Sequence, residues 1–515
     1  MLLTSLSFLI VFISFVAKNS QKISDFSQEA HNQLFYLYKH INRIAIIVIL
    51  YVLYLTLNIF SLENINSGIS IYNNLFKITS LSTIISILIL LIVGLLLFLN
   101  SVNIIGYNFI DSIHYSYKEY ILLILFNLLG LLLFPVVNDI ISLFVIIELQ
   151  SYSLYLITSI YRESNNATKA GLMYFLLGGL ASILILLGSA ILYYVTGMTS
   201  LDYIFTLVNY TNYLDSLYFG FLFIVLGLLW KMGLAPFHNW SITVYSNTPT
   251  IVTSYISLMA KLSILPFMYT IINSLNIENN YINYIIAISV LLSMMIGSLG
   301  GLSQIKIKVL LAYSGVINAG YLLLSLLVNT QEGLVGFIVY IYQYGLTHVN
   351  IFFVVLLASY YIVFNSNLIK SNSNNSILLS SLSPIEYINQ LNGLLIKNSY
   401  LAMALIISLF SLIGIPPLVG FYGKFYILIS SLNKGYLLLS LGLILFSVVT
   451  TVYYAYIIKT LSFSSIKLTS TKGNNLSSSI CYIISTITLV ILLNICQIDT
   501  ILQGAYILAF NNLLI

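Results

Sequence analysis

Four ionisable side chains fall inside apolar runs where an unpaired charge is costly. They are Glu148 in FVIIELQSYSLYL, Lys231 in LLWKMGLAPFHNW, Lys261 in SLMAKLSILPF and Lys424 in GFYGKFYIL. At a bilayer centre such a charge costs about 2.5–3.5 kcal/mol on insertion scales. Each sits well inside its own run, so function explains them better than snorkelling from a helix end. The chemistry on offer is proton transfer. Desolvation and a neighbouring carboxylate act on an ammonium in opposite senses, so a buried lysine beside a movable glutamate can hold a proton in one arrangement and release it in another. If the runs carrying Glu148 and Lys231 pack together, they form such a pair, with Lys261 and Lys424 as further stations.

His238 follows the Lys231 run and His348 lies in YGLTHVNIF. Histidine titrates near neutrality, so each is either a relay or a hydrogen-bonded core residue, and both readings stay open. Signals for other chemistry are missing. There is no Gly-rich phosphate loop opening a helix, no cysteine cluster for iron–sulfur ligation and no histidine pair at haem spacing within one run. Cys481 and Cys496 share the last apolar stretch and read as small core residues. No cofactor or metal is expected in this chain.

The elements that position these residues follow from composition. The 515 residues are 60% hydrophobic and 6% charged, against about 25% charged in a soluble domain. Lipid must therefore cover much of the surface, and the absence of a basic patch with interleaved aromatics argues against nucleic acid. Apolar runs long enough to cross about 30 Å of hydrocarbon predict an all-α polytopic protein of fourteen spans. These lie near 1–17, 43–62, 79–102, 120–137, 140–160, 171–196, 217–240, 250–272, 280–303, 309–329, 333–364, 399–430, 435–458 and 478–498. The stretch 365–398 reads as a connection with a short surface helix around Ile385–Leu395. The chain opens on an apolar run without a basic leader, so no cleavable targeting segment is expected.

With fourteen spans, the loops after odd-numbered spans hold Lys18, Lys22, Lys39, Arg43, Lys118, Arg162, Lys169, Lys306, Lys308, Lys370, Lys397, Lys459, Lys467 and Lys472. The opposite side holds Lys77 and Lys434 alone. Such an asymmetry puts the basic loops in the matrix or cytoplasm and both termini on the intermembrane or periplasmic side.

Prolines add a second pattern. Pro236 interrupts the seventh span just after Lys231, and Pro416 and Pro417 interrupt the twelfth before Lys424. In a membrane a broken helix is tolerated where its freed backbone groups line a cavity or find partners. The two breaks occupy the fourth helix of two five-helix units, spans 4–8 and 9–13. An odd number of helices inserts the units with opposite topology, as inverted repeats with a midplane ion site do. The expected divisions are an N-terminal three-helix segment (1–119), a first repeat (120–272), a second repeat (273–460) and a C-terminal helix (461–515).

Longer motifs resemble a known family. NDIISLFVIIELQSYSLYLITSIYR, ATKAGLMYFLLGGLASILILLGSAILY, LLWKMGLAPFHNWSITVYSNTP, KVLLAYSGVINAGYLLL and SLIGIPPLVGFYGKFYIL are similar to signatures of the chain 2 family of respiratory complex I, called subunit N in bacteria. The resemblance spans roughly residues 120–460. It implies an antiporter-like fold and a proton-pumping NADH:ubiquinone reductase. Glu148 and Lys231 would be the coupling pair, Lys261 the central relay and Lys424 the station leading to the outlet. NADH, FMN, iron–sulfur clusters and ubiquinone would sit in partner subunits of the membrane and redox arms. A lysine in the twelfth span favours this chain over its paralogues. SITVYSNTP replaces the family's acidic loop after the seventh span, so no charge role carries over there. An Ile-, Asn- and Tyr-rich bias suggests an AT-rich genome and a chain made inside a mitochondrion for its inner membrane. The rival readings are an Mrp-type cation/proton antiporter subunit and a non-pumping scaffold of the membrane arm.

Overall fold

Backbone groups in lipid find no water partners, and an α-helix satisfies all but its terminal ones internally. The apolar runs accordingly become helices. The computed structural model describes residues 28–60, 68–101, 119–161, 164–210, 214–275, 281–369, 385–463 and 478–513. The span expected at 1–17 lies outside these residues, as do Lys18, Lys22, Lys118, Arg162, Lys370, Lys467 and Lys472.

The chain runs through α1 (Gln28–Phe60), a hairpin of β1 (Ile69–Ile71) and β2 (Phe76–Ile78), α2 (Ser80–Ser101), α3 (Glu119–Leu133) with a 3-10 turn at Phe134–Val136, α4 (Ile140–Ser159) and α5 (Asn165–Thr196). It continues with α6 (Leu201–Tyr210), α7 (Leu214–Met232), α8 (Asn239–Asn247), α9 (Thr250–Ser274), α10 (Tyr281–Leu302), α11 (Ile307–Val328) and α12 (Gln331–Ile369). A 3-10 turn at Ile388–Leu391 leads to α13 (Leu394–Lys397), α14 (Ser399–Ile413), α15 (Val419–Asn433), α16 (Leu437–Phe463), α17 (Ser478–Leu493) and α18 (Ile498–Leu513). Among the described residues, nine helices are long and apolar enough to cross a membrane singly, or ten spans if α17 and α18, bent by 82°, count as one. Shorter apolar helices fill Tyr120–Val136, Ser216–Met232 and Ser399–Ile413.

Burial sorts the bundle into a centre and a rim. The most apolar stretches of α9, α11 and α12 are 94%, 89% and 89% buried, against 33% for α5 and 39% for α16. The rim helices turn Leu172, Phe175 and Ile183 (α5) and Leu438, Leu441 and Leu445 (α16) outward, which suits lipid. The central helices carry Lys261 and His348 and are enclosed by protein.

Both expected breaks form by the same local device. At the end of α7, the Leu234 N–H reaches the Leu229 carbonyl at 3.2 Å across Gly233 (φ +69°); at the end of α14, Ile415 reaches Phe410 at 3.3 Å across Gly414 (φ +89°). Glycine takes the left-handed position without a Cβ penalty. The prolines that follow, Pro236 in one break and Pro416 with Pro417 in the other, stop the helix from resuming in register. The chain restarts as α8 and as α15.

Several expectations need correction. The helical fold expected also carries one short hairpin, in which β1 and β2 pair antiparallel, Ile69 opposite Ile78. This hairpin is clasped to the start of α4 and to α6, with Lys77 Nζ 3.1 Å from Asp202 Oδ1 and Asn138 donating to Asp202 Oδ2 at 2.9 Å. Residues after 498 form a second helix, α18, so the C-terminal element is a bent pair. Cys496 lies in that bend and is exposed, while Cys481 is half-buried. Cys481, within α17, packs against the core as expected of a small core residue, whereas Cys496 is not one, because a bend leaves its connecting residues uncovered. The surface helix expected near Ile385–Leu395 is a 3-10 turn followed by the short α13.

Candidate functional site

Glu148 is set by the start of its helix. Asp139 caps α4, accepting from the Ile141 and Ser142 N–H groups, a contribution of about 1 kcal/mol. Glu148 then faces α7, where Lys231 occupies the last turn. Lys231 Nζ and Glu148 Oε1 stand 3.9 Å apart, with side chains 10% and 16% exposed. Neither atom has a direct hydrogen-bond partner. The sequence-expected pair is formed, at ion-pair distance but beyond hydrogen-bonding range. A cavity of about 20 Å³ borders Lys231, Ser151, Gln150 and Trp230, enough for about one water.

Lys261 lies at the middle of α9, only 2% exposed, and donates to the Gly315 carbonyl of α11 at 2.7 Å. Gly315 makes this reach possible, since a Cβ there would stand 2.9 Å from the amine. His348 lies on α12, which packs directly against α9, the helix that carries Lys261. Its ring is 1% exposed, packs between Tyr344 and Phe352, and has no direct partner for either nitrogen.

Lys424 follows the second break and points back into it. Its amine donates to the Leu412 carbonyl at 2.7 Å and the Ile413 carbonyl at 3.0 Å. These are orphan acceptors at the negative end of α14. The amine also stands 5.4 Å from the centre of the Tyr321 ring. The prolines thus do more than break a helix: they free the carbonyls that hold a buried cation.

Around these central helices lie the buried hydroxyls of Tyr344 and Tyr321, without direct partners, and that of Tyr454, set among Ser314, Asn318 and Tyr453. Tyr340 donates to Asn318 Oδ1 at 2.9 Å, and the Tyr321 and Tyr340 rings meet edge to face. Tyr344 flanks His348, itself beside Lys261, while Tyr321 flanks Lys424. Buried polar groups of this kind ordinarily bind ordered water.

His238 is not brought to the lysines by any described contact. It precedes α8 half-buried, with Nδ1 3.2 Å from the Pro236 carbonyl. The sequence reading also missed a cation. Lys308, counted there as a loop charge, lies in the first turn of α11, 5% exposed, and donates to the Thr248 carbonyl at 2.7 Å. A lysine at the start of a span looks the same in sequence whether it turns to water or inward. Among the described residues no group of three or more His, Cys, Asp or Glu side chains is arranged to hold a metal.

Comparison with known proteins agrees with this architecture. A family model described as NADH:quinone oxidoreductase/Mrp antiporter, TM, matches residues 137–453. NADH-ubiquinone oxidoreductase chain 2 of Rhizopus oryzae is 38% identical over 509 residues, covering 92% of this chain and 95% of the relative. NADH-quinone oxidoreductase subunit N of Rhodospirillum rubrum is 33% identical over 348 residues, covering 67% of each. A chain of respiratory complex I from Thermus thermophilus superposes with a TM-score of 0.70 at 22% identity, over 97% of this chain and 98% of that one, which speaks for the fold. The chain belongs to the NADH:quinone oxidoreductase/Mrp antiporter family, on the branch of chain 2 and subunit N.

Proposed function

We propose that this chain is a core membrane-arm subunit of respiratory complex I, moving protons across the mitochondrial inner membrane while partner subunits pass electrons from NADH to ubiquinone. The observation that carries the reading is the set of three buried lysines inside the bundle, one of them loosely paired to a carboxylate. Glu148 and Lys231 are the coupling pair. While they face each other, Lys231 keeps its proton; as they separate, the ammonium gives it up to water and on to the neutral Lys261 amine. The Tyr344, Tyr454, Asn318 and Tyr321 cluster, with bound water, carries it to Lys424. His348 lies along this route beside Lys261, whereas His238 fits a structural role at the break.

The broken pairs α7–α8 and α14–α15 each count as one span in this reading, as does α3 with its 3-10 turn. With the apolar run at 1–17 the total is fourteen. The divisions 1–119, 120–272, 273–460 and 461–515 follow, supported by the matching glycine–proline breaks. Both termini then face the intermembrane space. Partners are the other membrane-arm subunits and lipid; the redox cofactors belong to neighbouring subunits.

The Mrp half of the family description favours one rival, a cation/proton antiporter subunit. Mild detergent extraction, native electrophoresis and in-gel NADH oxidation with mass spectrometry separate the two. Comigration with a very large NADH-oxidising band is expected. Migration apart from that activity would move the antiporter reading ahead.

A further inference from the structure

The seam where α3 and α4 meet α9 holds a ladder of hydrogen bonds. The Tyr255 hydroxyl donates to Asn127 Oδ1 at 2.8 Å. Asn127 Nδ2 donates to Ser153 Oγ at 2.9 Å and to the Gln150 carbonyl at 2.8 Å. Gln150 Nε2 donates to Ser263 Oγ at 3.1 Å. All five side chains are 4% exposed or less. Gly130, one turn beyond Asn127, lets α3 and α4 approach this closely, since a Cβ there would meet the Gln150 backbone nitrogen at 3.1 Å.

A small cavity adjoins each end of the ladder. One, of about 10 Å³, is bordered by Leu97, Tyr120, Ile251, Ser254 and Tyr255, where α2 finishes and α3 and α9 begin. These helix ends share the face on which Lys306 and Lys308 begin α11. The other is the 20 Å³ cavity that Gln150 shares with Lys231. Each is about the size of one water. Packing alone does not call for two amides in apolar spans, because their burial is unfavourable until every polar atom is matched.

We propose that this seam is the proton inlet from the basic face to the Glu148–Lys231 pair, with Asn127 as its positioning residue and the Tyr255–Asn127 bond as a latch between the two water sites. The inference rests on the proton-path reading. When the latch opens, water files between the cavities along the Ser153 hydroxyl. One proton passes from bulk water through that file to the neutral Lys231 amine, and the amides exchange none. Titratable groups around the route are Tyr120, Glu148, Tyr155, Tyr174, Lys231 and Tyr255.

The test is the pH profile of NADH-driven pumping by the assembled complex reconstituted in vesicles. Asn127→Leu removes the polar rung. Pumping should fall at least fivefold at pH 8, where protons are scarce, and distinctly less at pH 6, with Asn127→Ser restoring most of it. An equal loss at both pH values, or wild-type pumping at pH 8, overturns the inlet. Lys231→Met separates the two levels: inactive Lys231→Met beside normal Asn127→Leu removes the inlet alone, whereas normal pumping in both removes the proton path. If Asn127→Leu does not assemble, Ser254→Cys in a chain carrying Cys481→Ser and Cys496→Ser decides. A small hydrophilic thiol reagent added from the basic face should label it and slow pumping, and failure to label overturns the inlet.

Discussion

Lys231 Nζ and Glu148 Oε1 face each other at 3.9 Å with no direct hydrogen-bond partner for either. A buried pair made for stability would close to a hydrogen bond, since poorly matched buried charges repay little of their desolvation. This pair is held apart on two helices, one of which ends one residue after Lys231 at a break. In the proposed proton path, that looseness is what would let one proton affinity take two values.

Lys231→Arg keeps the charge but not the capacity to release a proton, because guanidinium stays protonated in proteins. It should lower pumping at least tenfold with complex assembly intact, as should Glu148→Gln. Acidification of vesicles during NADH oxidation, beside a native gel for assembly, reads both. Near-normal pumping in Lys231→Arg would rule out proton release at this site.

Gly315→Ala places a methyl 2.9 Å from the Lys261 amine, closer than the two can stand. The amine is the flexible end of a long side chain, so the helix should hold while the amine moves away from the Gly315 carbonyl. Pumping should fall several-fold with a change in stability below about 1 kcal/mol, read as thermal inactivation of the complex. A large loss of stability with normal residual turnover would mean that Lys261 packs rather than relays.

Lys424→Met leaves the Leu412 and Ile413 carbonyls without their donor. Hydrogen bonds to charged groups contribute about 1.5–3 kcal/mol, so this variant should destabilise the membrane arm and abolish pumping together. Lys424→Arg should recover the stability and not the pumping. Near-normal pumping by either variant would contradict a relay at this position.

The Lys77–Asp202 pair provides a contrast. Its side chains are 28% and 42% exposed, and such surface pairs contribute about 0–1 kcal/mol. Lys77→Met should leave pumping unchanged and shift stability by no more than that amount. A strong pumping defect would give the hairpin clasp a role that the buried axis does not explain.

The breaks and three of the four buried charges were legible because proline, left-handed glycine and an isolated lysine act locally. Glu148 facing Lys231 was legible as a possibility, and only the packing of both α4 and α7 on α5 decides it. Tyr321, Tyr344 and Tyr454 could not be picked out of 41 tyrosines, because most tyrosines in such a chain sit at membrane interfaces and face assignment is a tertiary property. Lys308 was hidden by position, since a cation at a span's first turn resembles a loop charge. The β1–β2 hairpin is three residues per strand, too short for a period-two signal to stand out.

The central claim is that this chain's buried lysines carry protons. Proton uptake and NADH oxidation measured together in vesicles, for Lys231→Ala, Lys261→Ala and Lys424→Ala complexes of confirmed assembly, test it most directly. Each substitution is expected to lower the protons moved per NADH or to stop both processes together. An unchanged ratio and rate in all three would contradict it.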